Sequence, residues 1–97
     1  MARSKNSQSK HDAEVRKQAK KLSSQGYDVS ADVSGYSKPK TIGGKRPDVS
    51  AKKGKEKIII EVETKDSVNT ARDLAQQKEF KKAANSSVDT KYRRKIV

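Results

Sequence analysis

The pattern of hydrophobic and polar positions begins with one amphipathic helix and one alternating strand. Val15, Ala19 and Leu22 recur at helical spacing and predict a first helix from His11 to Gln25. Tyr27 to Ser34 alternates apolar and polar residues, which is typical of a strand with one buried and one solvated face. The chain therefore starts with a helix that packs on a sheet.

The most apolar run is Ile58 to Ile60, inside a segment that predicts a β-hairpin. Its first arm is Arg46–Ala51, Gly54 lies in the turn, and its second arm is Glu56–Thr64. A β-branched run bounded by turn residues favours a strand that is buried on both faces.

A second helix and a last strand complete the pattern. The helix is predicted over Val68–Ala84, with the stripe Val68, Ala71, Leu74 and Ala75 facing a sheet, and the strand over Lys95–Val97. We expect residues 1–10 to form a disordered basic tail and residues 11–97 to form a single domain.

The net charge of the chain limits the classes of binding partner that we expect. Of 97 residues, 24 are basic and 12 acidic, a net charge of +12. Such a chain favours DNA, RNA or an anionic membrane surface, but neither helix has the bulky apolar face that membrane binding requires. The absence of cysteine and of an apolar leader fits an intracellular protein of the cytoplasm or nucleoid.

Two groups of basic residues are candidates for contact with a nucleic acid backbone. One is the glycine-containing loop from Gly35 to Lys45, where Tyr36 is available to stack, and the other is the second helix. The alternatives are a mobile solvated loop and an ordinary helix surface; Arg3, Lys5 and Lys10 could also touch phosphates from the tail. The candidates are Lys38, Lys40, Lys45, Arg46, Arg72, Lys78, Lys81 and Lys82.

Folding the hairpin brings acids together. With the turn at Gly54, or between Gly54 and Lys55, facing residues have numbers that sum to 108 or 109, so Asp48 faces Ile60 or Glu61. Facing side chains have Cβ atoms roughly 5 Å apart, and Glu63 projects from the same face as Glu61. Carboxylates this close repel one another, and a divalent cation would remove that repulsion.

Pro47-Asp48, followed after twelve residues by Glu61-Val62-Glu63, resembles the signature of the PD-(D/E)XK nuclease superfamily. The order helix, three strands, helix, strand is also similar. The resemblance implies an α/β fold: an αβββαβ restriction-endonuclease-like core with a mixed central sheet flanked by two helices. Glu63 stands where the motif has a lysine, and Lys65 could fill that role from the same face.

The resemblance also implies a metal site and the roles of its residues. Mg²⁺ or Mn²⁺ would be the cofactor, and a second acid or a lysine would orient the attacking water. A glutamate on the first helix often helps to hold the metal, although here it could instead pair with Lys10 or Lys17. The implied ligands are Asp48, Glu61, the carbonyl of Val62, and Glu14; Asp48, Glu61, Glu63 and Lys65 are the implied catalytic residues.

The function implied is a metal-dependent DNA endonuclease. Small basic domains with a glycine-rich loop before the Pro-Asp strand resemble archaeal-type Holliday junction resolvases, which implies branched DNA as substrate and a homodimer. Two other functions remain open: a non-catalytic nucleic-acid-binding domain with a degenerate nuclease fold, and a structural protein whose acids pair with Arg46, Lys57 and Lys65. The hydrolytic function depends on the convergence of Asp48, Glu61 and Glu63.

Overall fold

The computed structural model of the protein describes residues 4–97, and it has the predicted αβββαβ order. The sheet runs β1-β2-β3-β4, with the first three strands antiparallel and β4 parallel to β3. The mixed sheet with two helices confirms the predicted fold class. The elements are α1 (Lys5–Ser24), β1 (Asp28–Ala31), β2 (Val49–Lys53), β3 (Glu56–Glu63), α2 (Ala71–Asn85) and β4 (Thr90–Ile96).

The hairpin adopts the second of the two predicted registers. Val49 pairs with Ile60 and Lys53 with Glu56, so facing residues sum to 109. Gly54, at a φ of 60°, occupies the tight turn, a backbone conformation that glycine adopts without steric cost. The first arm is shorter than predicted, because β2 begins at Val49 and the segment 46–48 precedes it.

Helix α1 begins at Lys5, six residues before the predicted start. Ser4 caps it, and the Ser7 amide donates a hydrogen bond to the Ser4 hydroxyl over 3.1 Å, which satisfies a backbone donor that the helix leaves unpaired. The prediction that the helix starts at His11 was therefore wrong, and Lys5–Lys10, assigned to a tail, is helical. Arg3 lies outside the described residues.

The predicted stripe of α1 forms the main core. Val15, Ala19 and Leu22 are buried against apolar residues of β1, β2 and β3. Burial of a valine or leucine side chain contributes about 1.5–3 kcal/mol, so Val15 and Leu22 contribute most to anchoring the helix. Even-numbered residues of β3 face this core, because side chains alternate along a strand: Ile58, Ile60 and Val62.

Helix α2 covers the other face of the sheet, at the β4 side, and presents a different face from the predicted one. Its buried residues are Asp73 and Phe80, and the Phe80 ring lies 5.8 Å from the ring of Tyr92 on β4. Leu74 is 52% exposed, so the predicted small-residue stripe was wrong. A large aromatic residue and a buried carboxylate orient this helix instead.

Strand β4 is longer than predicted and starts at Thr90. Across the described chain, neither helix combines the length and apolar character that crossing a membrane requires.

Candidate active site

Odd-numbered residues of β3 project toward α2. Ile59, Glu61 and Glu63 alternate with the residues of the main core, and all three are buried. Glu61 and Glu63 are 1% and 3% exposed, values that are rare for carboxylates without partners. The strand therefore carries two buried acids side by side on one face.

A short turn after β3 brings a third acid to the same place. The Ser67 hydroxyl accepts a hydrogen bond from the Thr64 amide over 3.0 Å, and Asn69 adopts a φ of 62° before α2 begins. Thr70 caps the helix, and Asp73, in its first turn, accepts a hydrogen bond from the Asn69 amide over 2.7 Å. A carboxylate at this position is stabilised by the helix dipole.

Glu61, Glu63 and Asp73 together form what we term the acidic cluster. One carboxylate oxygen from each residue lies within 4.8 Å of the others, and Asp73 is 1% exposed. Three acids in this volume, shielded from water, repel one another strongly if all are ionised.

Strand β4 supplies two further partners of the acidic cluster. The parallel register places Arg94 beside Glu61, with its Nε 3.5 Å from Glu61 Oε1. A terminal nitrogen of the Arg94 guanidinium donates a hydrogen bond to Asp73. The Tyr92 hydroxyl donates to Glu61 Oε1 over 3.2 Å. Glu61 and Asp73 thus share one guanidinium, while Glu63 accepts a hydrogen bond from the Ser67 hydroxyl.

The excess negative charge of the acidic cluster changes the pKa of Glu61. Burial, together with the negative charges of Glu63 and Asp73, raises the pKa of Glu61 from 4.5 to about 8. Burial and the nearby Glu61 carboxylate also raise the pKa of Tyr92. Glu61 is therefore largely protonated at neutral pH unless a cation joins the cluster.

The acidic cluster fits a hard divalent cation. Glu61 Oε2 and Asp73 Oδ1 are buried and have no hydrogen-bond partner within the described residues, although buried polar atoms are nearly always paired. Carboxylate oxygens are the ligands that Mg²⁺ and Mn²⁺ prefer. A cation between these oxygens would satisfy both atoms and offset the repulsion.

Asp48 lies opposite Glu61 by extension of the hairpin register, but its carboxylate does not join the acidic cluster. Its Oδ2 accepts a hydrogen bond from the Val62 amide over 2.8 Å, and its Oδ1 lies 3.1 Å from His11 Nε2. His11 also contacts Asp12 through Nδ1 at 3.0 Å. The side chain is therefore directed to α1, while Glu61 and Glu63 are directed to α2.

The other predicted site residues are spread over both faces. Glu14 is buried on α1 and accepts a hydrogen bond from Gln18 over 2.6 Å. Val62 is buried, and its amide holds Asp48. Lys65 is exposed in the turn two residues after Glu63. Of the predicted set, the structure brings Glu61 and Glu63 together; Asp48 and Glu14 lie outside the cluster that they form. The expected convergence of Asp48 with these two acids is therefore not observed, and Asp73 takes the third position in the cluster.

The predicted nucleic-acid contacts lie in two neighbouring segments. The loop between β1 and β2 approaches α2, since Ile42 and Gly43 line a small cavity with Glu79 and Lys82. The guanidinium of Arg46 donates a hydrogen bond to the carbonyl of Pro39 and braces this loop. Seven of the eight candidates are exposed and Lys45 is half-buried: Lys38, Lys40, Lys45, Arg46, Arg72, Lys78, Lys81 and Lys82.

Sequence reasoning missed Asp73 and Arg94. The spacing Thr70-x-x-Asp73 is a helix-capping signal, and it would have placed Asp73 in the first turn of α2 without indicating a metal. Arg94 carried no comparable signal, because its position depends on the parallel register of β4 on β3.

One comparison with known proteins, the scan against family models, agrees with this architecture. The REase_AHJR-like family model, which describes restriction-endonuclease-like proteins, matches residues 2–91. No curated protein and no solved structure matches the chain. The family match covers nearly the whole chain, including both helices and the hairpin that carries the acids. The chain therefore belongs to the REase_AHJR-like family of restriction-endonuclease-like nucleases.

Proposed function

We propose that this protein is a divalent-metal-dependent DNA endonuclease whose metal ion is held by the acidic cluster. The family supports nuclease chemistry on nucleic acid. The metal site is supported by the buried acidic cluster of Glu61, Glu63 and Asp73. Two of its oxygens, one on Glu61 and one on Asp73, have no hydrogen-bond partner among the described residues. Mg²⁺ or Mn²⁺ is the matching ion, because both prefer oxygen ligands.

The residues around the acidic cluster have separable roles in this proposal. When bound, the divalent ion supplies polarisation of the phosphoryl group and a water of lowered pKa. Arg94 positions the Asp73 carboxylate next to the two acids of β3. Lys65, exposed two residues beyond Glu63, would contact the phosphate at the edge of the cluster, in the role that the motif lysine would have.

Asp48 and Glu14 enter the proposal as additional ligands. Both are acids on the α1 side, and Asp48 lies opposite Glu61 in the register. In its present position Asp48 is held by His11 and by the Val62 amide. For Asp48 to bind the metal, its side chain must rotate away from His11.

A second function is favoured by a specific observation. Asp48 is turned away from the acidic cluster, and an acid, Glu63, replaces the motif lysine. Both features favour a domain that binds nucleic acid without cutting it. In that case the acids of the cluster would be held by protein groups such as Arg94, Tyr92 and Ser67, and Mg²⁺ would have no effect on them.

The test compares cleavage of supercoiled plasmid and of a four-way DNA junction in Mg²⁺, Mn²⁺ or EDTA. The proposal predicts cleavage only with metal, and loss of about a hundredfold or more in Glu61→Gln and Asp73→Asn, since the metal would lose ligands. Glu56→Gln, on the same strand but with a side chain 41% exposed, is the matched control. Equal cleavage by the wild type and both cluster variants would refute the assignment.

Branched DNA as the preferred substrate and a homodimeric assembly rest on the resemblance to archaeal-type Holliday junction resolvases. Symmetric paired incisions in the junction, together with a dimer mass by analytical ultracentrifugation, are the expected results. If a monomer cleaved plasmid and junction at equal rates, both the preference for branched DNA and the homodimer would be refuted.

Metal titration separates the nuclease from the pure binder. Isothermal titration calorimetry with Mg²⁺ should show binding to the wild type and weakened binding to Asp73→Asn. If the heat of Mg²⁺ binding were the same in the wild type and in Asp73→Asn, the non-catalytic nucleic-acid-binding function would be favoured.

A further inference from the structure

A cavity of about 550 Å³ opens on the same face of the sheet as the acidic cluster. We term it the lysine cavity. The segment 40–42 of the loop before β2 borders it on one side, and the open half of the sheet forms its floor. Its volume is within the roughly 300–1,000 Å³ that is usual for ligand sites. Its principal lining residues are Lys40, Lys52, Lys55, Lys57, Ser30 and Ser50.

The cavity exists because α2 covers only part of this face. Helix α2 packs against β4, so the floor over β1 and β2 is left without a helix. Ser30 and Ser50 are paired directly in the antiparallel register, and their small side chains leave space above the sheet. Ala31, Val49 and Ala51 alternate with them and face the main core on the opposite side.

The charge of the cavity is strongly positive. Four lysines converge on it against one acid, Asp28. Within residues 4–97, none of the four lysines forms an ion pair with another side chain. Gathered ammonium groups repel one another, and an anion with spaced charges would offset that repulsion while using the serine hydroxyls as donors.

The strand register connects the lysine cavity to the acidic cluster. Lys57 and Glu61 lie on the same face of β3, four residues apart, which corresponds to roughly 13 Å along a strand. Ser50 is paired with Ile59, one position on that face before Glu61. A distance of about 13 Å corresponds to roughly four base-pair steps of duplex DNA, so one backbone could reach both sites.

We propose that the lysine cavity binds the phosphate backbone of the nucleic acid a few nucleotides away from the bond that lies at the acidic cluster. This inference rests on the proposed function for the position of the scissile bond, but its binding part stands independently of cleavage. Lys52, Lys55 and Lys57 lie outside the loop and helix that carry the other expected backbone contacts. The cavity would hold the substrate in register by charge, without reading base sequence.

The experiment measures binding in EDTA, where no cleavage occurs. A fluorescein-labelled DNA duplex is titrated by anisotropy between about 50 and 200 mM salt, where each lost phosphate contact lowers the slope of log K against log salt by about 0.9. The variant is Lys52→Gln/Lys55→Gln/Lys57→Gln, which leaves the expected loop contact Lys40 in place. The matched control is Lys17→Gln/Lys20→Gln/Lys21→Gln, which removes the same charge from exposed positions of α1.

We expect the slope of the cavity variant to fall by about 2–3 and that of the control to stay within about 0.5 of wild type. A slope that falls equally in both variants would overturn the proposal, because it would show a general charge effect. An unchanged slope in the cavity variant would overturn it as well. Circular dichroism melts check that both variants remain folded.

The outcomes for binding and for cleavage are distinguishable. If the wild type does not cut DNA but the cavity variant shows the expected loss of slope, the backbone site is supported and the nuclease proposal is refuted. A wild type that cuts DNA, combined with an unchanged slope, supports the nuclease and overturns the backbone site.

Discussion

The elevated pKa of Glu61 predicts a stability that depends on pH in the absence of metal. In the folded protein the pKa of this carboxyl is about 8, against an ordinary value of 4.5. Between these values the unfolded chain has released the proton and the folded chain still holds it. Raising the pH through this window therefore favours unfolding, and the loss is complete above about pH 8.

The size of the effect follows from the two pKa values. The interval from 4.5 to about 8, at roughly 1.4 kcal/mol per pH unit, corresponds to at most about 5 kcal/mol. Because a domain of this kind is stable by only about 5–15 kcal/mol, the loss should be evident. Glu61→Gln keeps the volume and the neutral character of the side chain, so its stability should not show this part of the pH dependence.

The assay is urea denaturation in EDTA, followed by far-ultraviolet circular dichroism from about pH 5 to about pH 8. The quantity to compare is the free energy of unfolding of the wild type minus that of Glu61→Gln, because this difference removes the contribution of other titrating groups. Glu56→Gln, on the same strand and partly exposed, should behave as wild type. The same fall in stability in wild type and Glu61→Gln would refute the reasoning.

Adding Mg²⁺ at pH 8 provides the converse test. A cation held by ionised carboxylates stabilises the folded state by mass action, so the wild type should regain stability and Glu61→Gln should regain much less. Equal gains in both proteins would mean that the ion binds elsewhere.

Further substitutions test the packing and the partners of the site by urea denaturation. Phe80→Ala should cost about 3–5 kcal/mol through the cavity that it leaves under α2, whereas the half-exposed Leu74→Ala should stay within about 0.5 kcal/mol; similar costs would contradict the observed orientation of the helix. Arg94→Met should cost about 3–5 kcal/mol at pH 8 in EDTA, because it leaves buried carboxylates unpaired, and a neutral result would mean that the cluster is not ionised. His11→Ala should cost about 1–3 kcal/mol by removing a buried partner of Asp48, and no change would show that this contact contributes nothing to stability.

The relation between Asp48 and the acidic cluster is the part of the site that the sequence motif describes least well. The motif spacing and the hairpin register both bring Asp48 opposite Glu61. The direction of its side chain is set by contacts that the motif does not contain, with His11 on α1 and the Val62 amide. Asp48 is therefore close to Glu61 along the paired strands, but its carboxylate does not meet the carboxylates of the acidic cluster.

Local patterns were sufficient for several parts of the fold. The stripe Val15, Ala19 and Leu22 predicted the face of α1 that is buried, because burying the apolar side chains of that face is more favourable than any other orientation of the helix. Gly54 predicted the turn and limited the hairpin to two registers, one of which is observed. The apolar run of β3 predicted a strand buried on both faces, and the strand is buried in this way between the two helices.

The sequence by itself determined the order of elements, the main core and the two acids that leave β3, because these follow from side-chain periodicity and turn chemistry within short segments. Only the tertiary structure decided which face of α2 is buried and which residues complete the acidic cluster. Asp73 and Arg94 meet Glu61 through a parallel crossover whose register depends on contacts between distant segments. No local pattern encodes such a register, since its energy comes from the burial of Phe80 and from the pairing of charges that are far apart in the chain.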